Sequence, residues 1–176
     1  MSTRYPAATL ALAVAAAALS GCAPAPEPTP TPTPAFASEE EAFAAAEEVY
    51  REYIEAFNRV DLQDPASFEE LSDYTAGDYR AGEREDLSRM HAEEQVRSGA
   101  IGIVWIRSTK VDDDGRIYIR TCNDVSETSL VDRDGVSLVS PERPPTFAIE
   151  LEFELVDDSL RLIASKTVED SSCVLP

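Results

Sequence analysis

The sequence predicts an α+β fold, with helices in the first half of the 176-residue chain and an antiparallel sheet in the second half. Apolar residues recur every three or four positions between residues 43 and 60, which is the spacing of an amphipathic helix. From residue 100 the period changes to two, most clearly in "TFAIELEFEL" at residues 146–155. Because each element must bury its apolar side, the helices are expected to pack on one face of the sheet.

Residues 1–21 have the composition of a secretion signal. One arginine precedes an uncharged run rich in Ala, Leu and Val at residues 7–19. As a helix this run is roughly 20 Å long, whereas a bilayer span needs about 20 residues. A cleaved signal is therefore favoured over the alternative, a permanent transmembrane helix.

The signal ends in Leu19-Ser20-Gly21-Cys22, which resembles the lipobox of bacterial lipoproteins. In those proteins the cysteine thiol receives a diacylglycerol group, and the chain is cut just before that cysteine. The resemblance implies that Cys22 becomes the first residue and that its acyl chains hold the protein on the outer side of the cell membrane. The alternative is an ordinary signal peptide that happens to end in a cysteine.

Residues 22–37 are predicted to form a spacer between this anchor and a domain at residues 38–176. The spacer contains "PEPTPTPTP", and proline at every second position excludes both a helix and a paired strand. In polyproline II geometry the spacer gains about 3.1 Å per residue. It is therefore expected to be extended and without a fold of its own.

Three helices are predicted at the start of the domain. Ser38 and Glu41 form a capping-box pattern, which predicts that the first helix begins there. Asp64-Pro65 predicts a second, short helix, because proline is well placed in a first turn. The third is predicted from about residue 78 to residue 97, before Ser98-Gly99.

Strands are predicted from residue 100 onward, with turns at residues 113–115 and 156–159. In the strand at 146–155 the residues alternate between apolar and glutamate, which indicates one buried and one solvated face. The other predicted strands cover residues 101–105, 117–122 and 160–165.

The charge balance argues against nucleic acid as a partner. The chain has 15 Lys and Arg against 34 Asp and Glu, a formal net charge of −19. This field repels phosphate backbones and attracts cations, although solubility alone also accounts for it.

Two cysteines remain once Cys22 is assigned to the lipid. In an oxidising exterior Cys122 and Cys173 are expected to pair, with their α-carbons about 5.5 to 6 Å apart. The alternative is two separate buried thiols.

Several of these features together resemble the NTF2-like lipoproteins of high-GC Gram-positive bacteria (actinobacteria). They are the lipobox, the Pro/Thr tether, the helix "AEEVYREYIEAFNRV", the segment "IYIRTCNDVSETSLVDRDG" and the cysteine near the carboxyl end. The resemblance implies a cone, in which a curved antiparallel sheet wraps around helices. The wider superfamily includes ketosteroid isomerases and polyketide cyclases, which carry out catalysis inside that cone.

Aromatic residues are the candidates for lining such a cone, with ordinary core packing as the alternative. The candidates are Tyr53, Phe57, Trp105, Tyr118 and Phe153. His91, the single histidine, is a weak candidate for a general base; a helical salt bridge or a surface position is the alternative.

Other chemistry lacks the residues it needs. There is no zinc spacing and no G-x-S-x-G motif, so neither a metal nor a cofactor is expected. The segments "VDDDGRIYI" and "VDRDGVSLV" look like calcium loops, but Lys110 and Leu130 occupy the first ligand positions, so Asp-Gly turns are predicted instead.

Two function classes follow from these observations. The first is a membrane-anchored envelope lipoprotein with a non-enzymatic extracellular domain that binds an envelope protein or a small ligand. The alternative is a cone-type isomerase or cyclase, or a degenerate relative, that acts on a small apolar ligand. The first is preferred because catalysis requires several cooperating polar groups, and the sequence offers one candidate without a named partner.

Overall fold

Helices form the first half of the domain in the computed structural model, which describes residues 36–175. Helix α1 spans Glu39–Arg59, a 3-10 helix spans Pro65–Asp73, and α2 spans Gly77–Ala92. Within the described range, no helix combines the length and the apolar character needed to cross a membrane. The predicted signal, the lipid site at Cys22 and the tether up to residue 35 lie outside the described residues.

The first two helices begin where the sequence predicts. Ser38 caps α1, because its hydroxyl accepts a hydrogen bond from the Glu41 amide at 3.2 Å. The Glu41 carboxylate reaches back and accepts from the Ala37 amide at 2.8 Å. At the 3-10 helix, the Asp64 carboxylate accepts from the Ala66 amide at 3.1 Å. Local capping chemistry therefore sets both starts.

Within residues 36–175, six strands form two antiparallel sheets. The larger sheet has the strand order β2-β3-β5-β6, and β1 pairs with β4 in a separate small sheet. The strands are β1 Val96–Ser98, β2 Gly102–Val111, β3 Ile117–Asp124, β4 Ser129–Val131, β5 Thr146–Val156 and β6 Ser159–Val168.

The larger sheet is curved, and its ladder is interrupted at three points. In β2 the register shifts between Ile103 and Trp105 and again between Ser108 and Lys110. The pairing of β5 with β6 shifts at Phe153. Such bulges bend a strand and increase its local twist. The sheet therefore curves around the helices.

The hydrophobic core lies between α1 and the inner face of this sheet. Tyr50 and Ile54 of α1 belong to one cluster with β3, β5 and β6 residues that are almost fully buried. The buried strand residues are Ile117, Ile119, Leu151, Phe153 and Leu162. The predicted fold class, helices packed on a curved antiparallel sheet, is confirmed.

A buried polar chain also joins α1 to the sheet. Asn123 donates from Nδ2 to the Tyr50 hydroxyl at 2.6 Å and accepts from the Thr121 hydroxyl at 3.1 Å. Burial raises the pKa of Tyr50, because the phenolate would be formed away from water. These three residues fix the position of α1 along β3.

The prediction for the third helix is wrong at its carboxyl end. Instead of continuing to Arg97, α2 ends at Ala92, and the chain reverses at Glu94 with φ 56°. The Gln95 amide donates to the Met90 carbonyl across this turn at 3.0 Å. The residues that follow form β1, whose partner β4 lies more than 30 positions further along the chain. Both short strands are absent from the sequence prediction because their pairing is not local.

The predicted disulfide is confirmed. Cys122 and Cys173 are bonded, with their α-carbons 5.3 Å apart and a separation of 51 positions in the sequence. Both residues are buried on the face of the sheet opposite the helices, with Ala148. The Thr146 hydroxyl donates to the Cys173 carbonyl at 2.8 Å, so the chain after β6 is tied to β5 as well as to β3.

The segments that resemble calcium loops are tight turns. The Asp112 carboxylate accepts from the amides of Asp114 and Arg116 at 3.1 and 2.9 Å. Asp132 accepts in the same way from Asp134 and Val136. The first aspartate of each motif therefore accepts hydrogen bonds from backbone amides of the turn that it begins, as is typical of aspartate in turns.

Candidate ligand-binding cavity

A cavity of about 720 Å³ lies beside the core and is partly open to solvent. One wall is formed by α1 and α2. The other is formed by the small β1-β4 sheet, the loops around it and the start of β5. The space therefore lies where the curved sheet and the helices diverge.

The α2 wall is a stripe of residues at helical spacing. Tyr79, Gly82, Asp86 and Met90 lie three or four positions apart along one side of the helix, and all four line the cavity. A Cβ atom built at Gly82 meets no other atom within 4 Å. The missing side chain at Gly82 is therefore one reason that the cavity is open.

In the opposite wall, a glycine lets the chain after β1 lie close to the loop between β3 and β4. Gly99 follows β1 with φ +77°, a conformation that favours glycine. A Cβ atom there would overlap the Glu127 carbonyl. This close approach holds β1 against the loop between β3 and β4, which contributes Val125 and Thr128 to the cavity.

A cluster of two phenols and a carboxylate lies on the helical wall. Tyr53 donates to the Glu83 carboxylate at 2.6 Å, and the Tyr53 and Tyr79 hydroxyl oxygens are 3.1 Å apart. Since the Tyr53 proton is directed at Glu83, its oxygen is free to accept the Tyr79 proton. The buried Thr75 hydroxyl lies 3.5 Å from the second Glu83 oxygen.

Burial shifts the ionisation of this cluster. It raises the pKa of Glu83, because the carboxylate is removed from water. Hydrogen bonds from Tyr53 and Thr75 and the charge of Arg80 act in the opposite direction without cancelling that increase. Burial also raises the pKa values of Tyr53 and Tyr79, so both phenols are neutral at physiological pH.

Two arginines also line the cavity. Arg97 of β1 donates from Nη2 to the carbonyls of Phe57 and Val60, at 2.6 and 3.1 Å. Its guanidinium carbon lies 4.7 Å from the centre of the Phe57 ring. Burial lowers the pKa of Arg97, because its charge is largely removed from water.

Arg143 is the second of these arginines. Its Nη2 donates to the carbonyls of Val125 and Thr128 at 2.7 and 2.9 Å, and its Nη1 donates to the Thr128 hydroxyl at 3.0 Å. These bonds fix the guanidinium against the β3–β4 loop at the edge of the cavity.

The structure divides the five aromatic candidates. Tyr53 and Phe57 line the cavity, with their ring centres 6.0 Å apart. Trp105, Tyr118 and Phe153 do not line it, so that part of the prediction is wrong. Phe153 is fully buried in the core.

Trp105 and Tyr118 lie on the outer face of the sheet, for two different reasons. Trp105 packs near the disulfide, because the bulge after Ile103 reverses the alternation of β2. Ile103 therefore contacts the main core, whereas Trp105 faces away from it. Tyr118 follows the normal alternation of β3, beside the buried Ile117, and its ring lies under the Lys110 ammonium at 4.2 Å.

His91 is not part of the cavity lining. It is half-buried, and its Nδ1 lies 2.7 Å from the Leu62 carbonyl, which can only accept a hydrogen bond. The imidazole therefore donates to the backbone after α1. The structure places His91 outside the cavity and half-buried, and it forms no ion pair with the described residues.

The sequence analysis overlooked the charged residues of the cavity. Tyr79, Glu83 and the apolar Leu87 follow one another at intervals of four residues. This helical spacing could have indicated that Glu83 lies on the buried side of α2. Arg97 carried no such signal, because it was assigned to the end of a helix. Its position depends on the pairing of β1 with β4.

The arrangement combines phenols, carboxylates and two arginines in one lining. No group of three His, Cys, Asp or Glu side chains within residues 36–175 is placed to hold a metal ion. The polar groups suit hydrogen bonding and ion pairing with a small molecule.

Comparisons with known proteins bear on the fold. No protein-family model and no curated protein matches the chain. The intermembrane space region of the chloroplast protein ARC6 is similar in structure, with a TM-score of 0.50 and 11% identity over 73% of this chain and 97% of that one. At that identity the likeness supports the α+β fold alone.

Two other solved structures are less similar. Aln2 from a Streptomyces species has a TM-score of 0.42 and 15% identity, and the match covers 72% of this chain and 89% of Aln2. A periplasmic fragment of TraM has a TM-score of 0.40 and 18% identity, and the match covers 75% of this chain and 98% of that fragment.

The shifted carboxyl predicts a specific pH dependence. Because the folded pKa of Glu83 is raised above its ordinary value near 4.5, the folded state binds this proton more tightly than the unfolded state. The stability that this proton contributes is complete below that value and is lost as pH rises through the folded pKa. Glu83→Gln cannot ionise, so its unfolding free energy should increase relative to the wild type as pH rises from about 4 to 8.

Urea unfolding of both proteins across that range measures this difference. Glu85→Gln is the matched control, because it removes the same charge from an exposed position of α2 outside the cavity. A Glu83→Gln variant that loses stability relative to the wild type as pH rises would contradict the prediction.

Proposed function

We propose that this protein is a lipid-anchored envelope protein whose domain holds a small, largely apolar ligand in the cavity outside the cytoplasm. The cavity carries the proposal. Ligand sites in proteins typically enclose about 300 to 1,000 Å³ and combine an apolar lining with a few fixed polar groups. The volume of about 720 Å³, the apolar lining and the fixed Tyr53, Arg97 and Arg143 agree with that description.

The anchor rests on the sequence. Leu19-Ser20-Gly21-Cys22 supports acylation of Cys22, and the disulfide supports an oxidising compartment. Both agree with the resemblance to NTF2-like lipoproteins, which remains part of the proposal. Mass spectrometry of membrane-extracted protein should find a lipid mass on an amino-terminal peptide that begins at Cys22. Cys22→Ala should abolish both the lipid mass and the cleavage before residue 22, and a soluble mature chain with a different first residue would overturn the anchor.

Binding in the cavity is tested with N-phenyl-1-naphthylamine, a neutral apolar dye whose emission increases when it leaves water. Gly82→Phe should reduce the affinity for the dye at least about tenfold, because the ring occupies the space that Gly82 leaves open. Gly82 has an ordinary helical backbone, so the substitution introduces no strain.

Ala81→Phe is the matched control. It adds the same side chain to the adjacent, exposed position of α2, which does not line the cavity. This variant should bind the dye as the wild type does. Equal binding by all three proteins would place the dye elsewhere and overturn the proposed site.

A cone-type isomerase or cyclase is the second candidate, and one observation favours it. Glu83 lies at the cavity wall with a raised pKa and a phenol donating to it, which is an arrangement able to move a proton. Binding without turnover is preferred, because this cluster already satisfies its own hydrogen bonds. If the protein catalysed deuterium exchange next to the carbonyl of 2-decanone in D2O, and Glu83→Gln abolished that exchange, the second candidate would replace the first.

A further inference from the structure

The two arginines of the cavity differ from most others in the domain. Eight of the twelve arginines in residues 36–175 form ion pairs with Asp or Glu. Arg97 and Arg143 form none with the described residues, although the chain has 34 acidic residues. Arg80 and Arg161 also lack an ion pair within residues 36–175, but neither lines the cavity, so Arg97 and Arg143 are the arginines whose charge is left for a ligand there.

Arg97 is the stronger observation. Its Nη2 is satisfied by the last carbonyls of α1, which explains the position of the side chain. Its Nη1, however, is buried and has no hydrogen-bond partner in the described part of the chain. A buried donor without an acceptor costs about 1 to 3 kcal/mol, and more when it is charged. The bonds to α1 therefore explain the position of Nη2 and leave Nη1 without a partner in the described part of the chain.

Both arginines are connected to the small β1–β4 sheet beside the cavity. Arg97 is paired across the small sheet with Leu130. Arg143 donates to Thr128, two positions before Leu130 on the same segment. Two residues of an extended chain span about 7 Å. The Arg97 backbone and the Arg143 guanidinium are therefore anchored at neighbouring positions of the β1–β4 region, and both side chains line the cavity.

Apart from its charged and polar side chains, the lining of the cavity is apolar. Residues of both walls contribute, among them Met90, Ile101, Leu130, Val139 and Phe147. A ligand that satisfies both features has an apolar body and a single negative head group. A highly charged anion does not suit the site, since the net charge of −19 repels it at long range.

We infer that the cavity selects amphipathic carboxylic acids, with the carboxylate received by Arg97 and Arg143 and the apolar body lying along the wall formed by Phe57 and Met90. This inference rests on the proposed binding function and specifies its ligand class. Arginine suits the role, because its planar fork matches the geometry of a carboxylate.

The test compares three probes with the same ten-carbon body, decanoate, 1-decanol and decylamine, on the full chain at neutral pH and below their aggregation limits. Each competes with N-phenyl-1-naphthylamine for the cavity. Decanoate should bind at least about tenfold more tightly than 1-decanol, as expected for a charge-assisted contact in a desolvated site. Arg97→Gln and Arg143→Gln should each remove most of that preference and leave the affinity for 1-decanol within about twofold.

Arg133→Gln is the matched control, because it removes the same charge from a side chain that is 71% exposed and lies outside the cavity. It should retain the preference for decanoate. If Arg97→Gln fails to fold, seen as loss of dye binding, Arg143→Gln and the preference of the wild type decide the question.

The remaining outcomes separate the two proposals. Equal or tighter binding of 1-decanol by the wild type overturns the acid preference and leaves the binding function intact. If decylamine binds more tightly than decanoate, the acid preference is overturned, and the acidic residues Asp78, Glu83 and Asp86 determine the selectivity of the cavity instead. If none of the three probes displaces the dye, or the dye itself does not bind, the binding function fails as well.

Discussion

Replacing both Cys122 and Cys173 with alanine is expected to lower the free energy of unfolding by about 4 kcal/mol. The bond closes a loop of 51 residues, and the chain-entropy model gives roughly that value for a loop of this length. Typical domains have about 5 to 15 kcal/mol in total, so the loss is a large fraction of the stability of the domain. The melting temperature should fall by on the order of 10 °C.

Thermal and urea unfolding measure this effect, and the reduced wild type serves as the internal control. Dithiothreitol should bring the wild type to the stability of the double variant and leave the double variant unchanged. A wild type whose unfolding midpoint does not move on complete reduction would contradict the prediction.

Phe153→Ala should have an effect of similar size through a different cause. Phe153 is fully buried between α1 and the sheet, and it is the cross-strand partner of Ile117. Truncating a buried phenylalanine typically costs about 3 to 5 kcal/mol, because transfer free energy is lost and a void remains. Urea unfolding at neutral pH measures the loss.

Tyr118→Ala is the control for this prediction, because it removes an aromatic ring from the outer face of the sheet. Its ring is half-buried and contacts Lys110, so we expect a loss of about 1 kcal/mol or less. Phe153→Leu should retain the fold and the binding of the dye, since Phe153 does not line the cavity. If the two alanine variants lost equal stability, the assignment of the two faces would be wrong.

The elements that the sequence predicts well are those determined by their own residues. The cap at Ser38 and the apolar stripe that follows specify α1. The alternation in residues 146–155 specifies β5. The pairing of Cys122 with Cys173 followed from the cysteine count and the expected compartment. In each case the physical cause lies within one segment or in a count over the whole chain.

The elements that it misses depend on distant partners. Arg97 belongs to a strand because β4 pairs with it, and a helix was predicted there instead. The bulge before Trp105 turns that side chain to the outer face, which simple alternation does not foresee. The cavity combines both effects, because it requires the curvature of the sheet and the displaced strand β1. Tyr53 and Phe57 were accessible to sequence reasoning, whereas Arg97 and Arg143 were not.

The position of Trp105 has an optical consequence. It is the only tryptophan of the chain, and its indole packs beside the Cys122–Cys173 bond and donates to the Ser172 carbonyl at 3.2 Å. A disulfide quenches a neighbouring excited indole by accepting an electron from it. Intrinsic emission therefore reports the redox state of this bond and brightens on reduction. Because Trp105 lies on the far side of the sheet from the cavity, the same signal is insensitive to an occupant there.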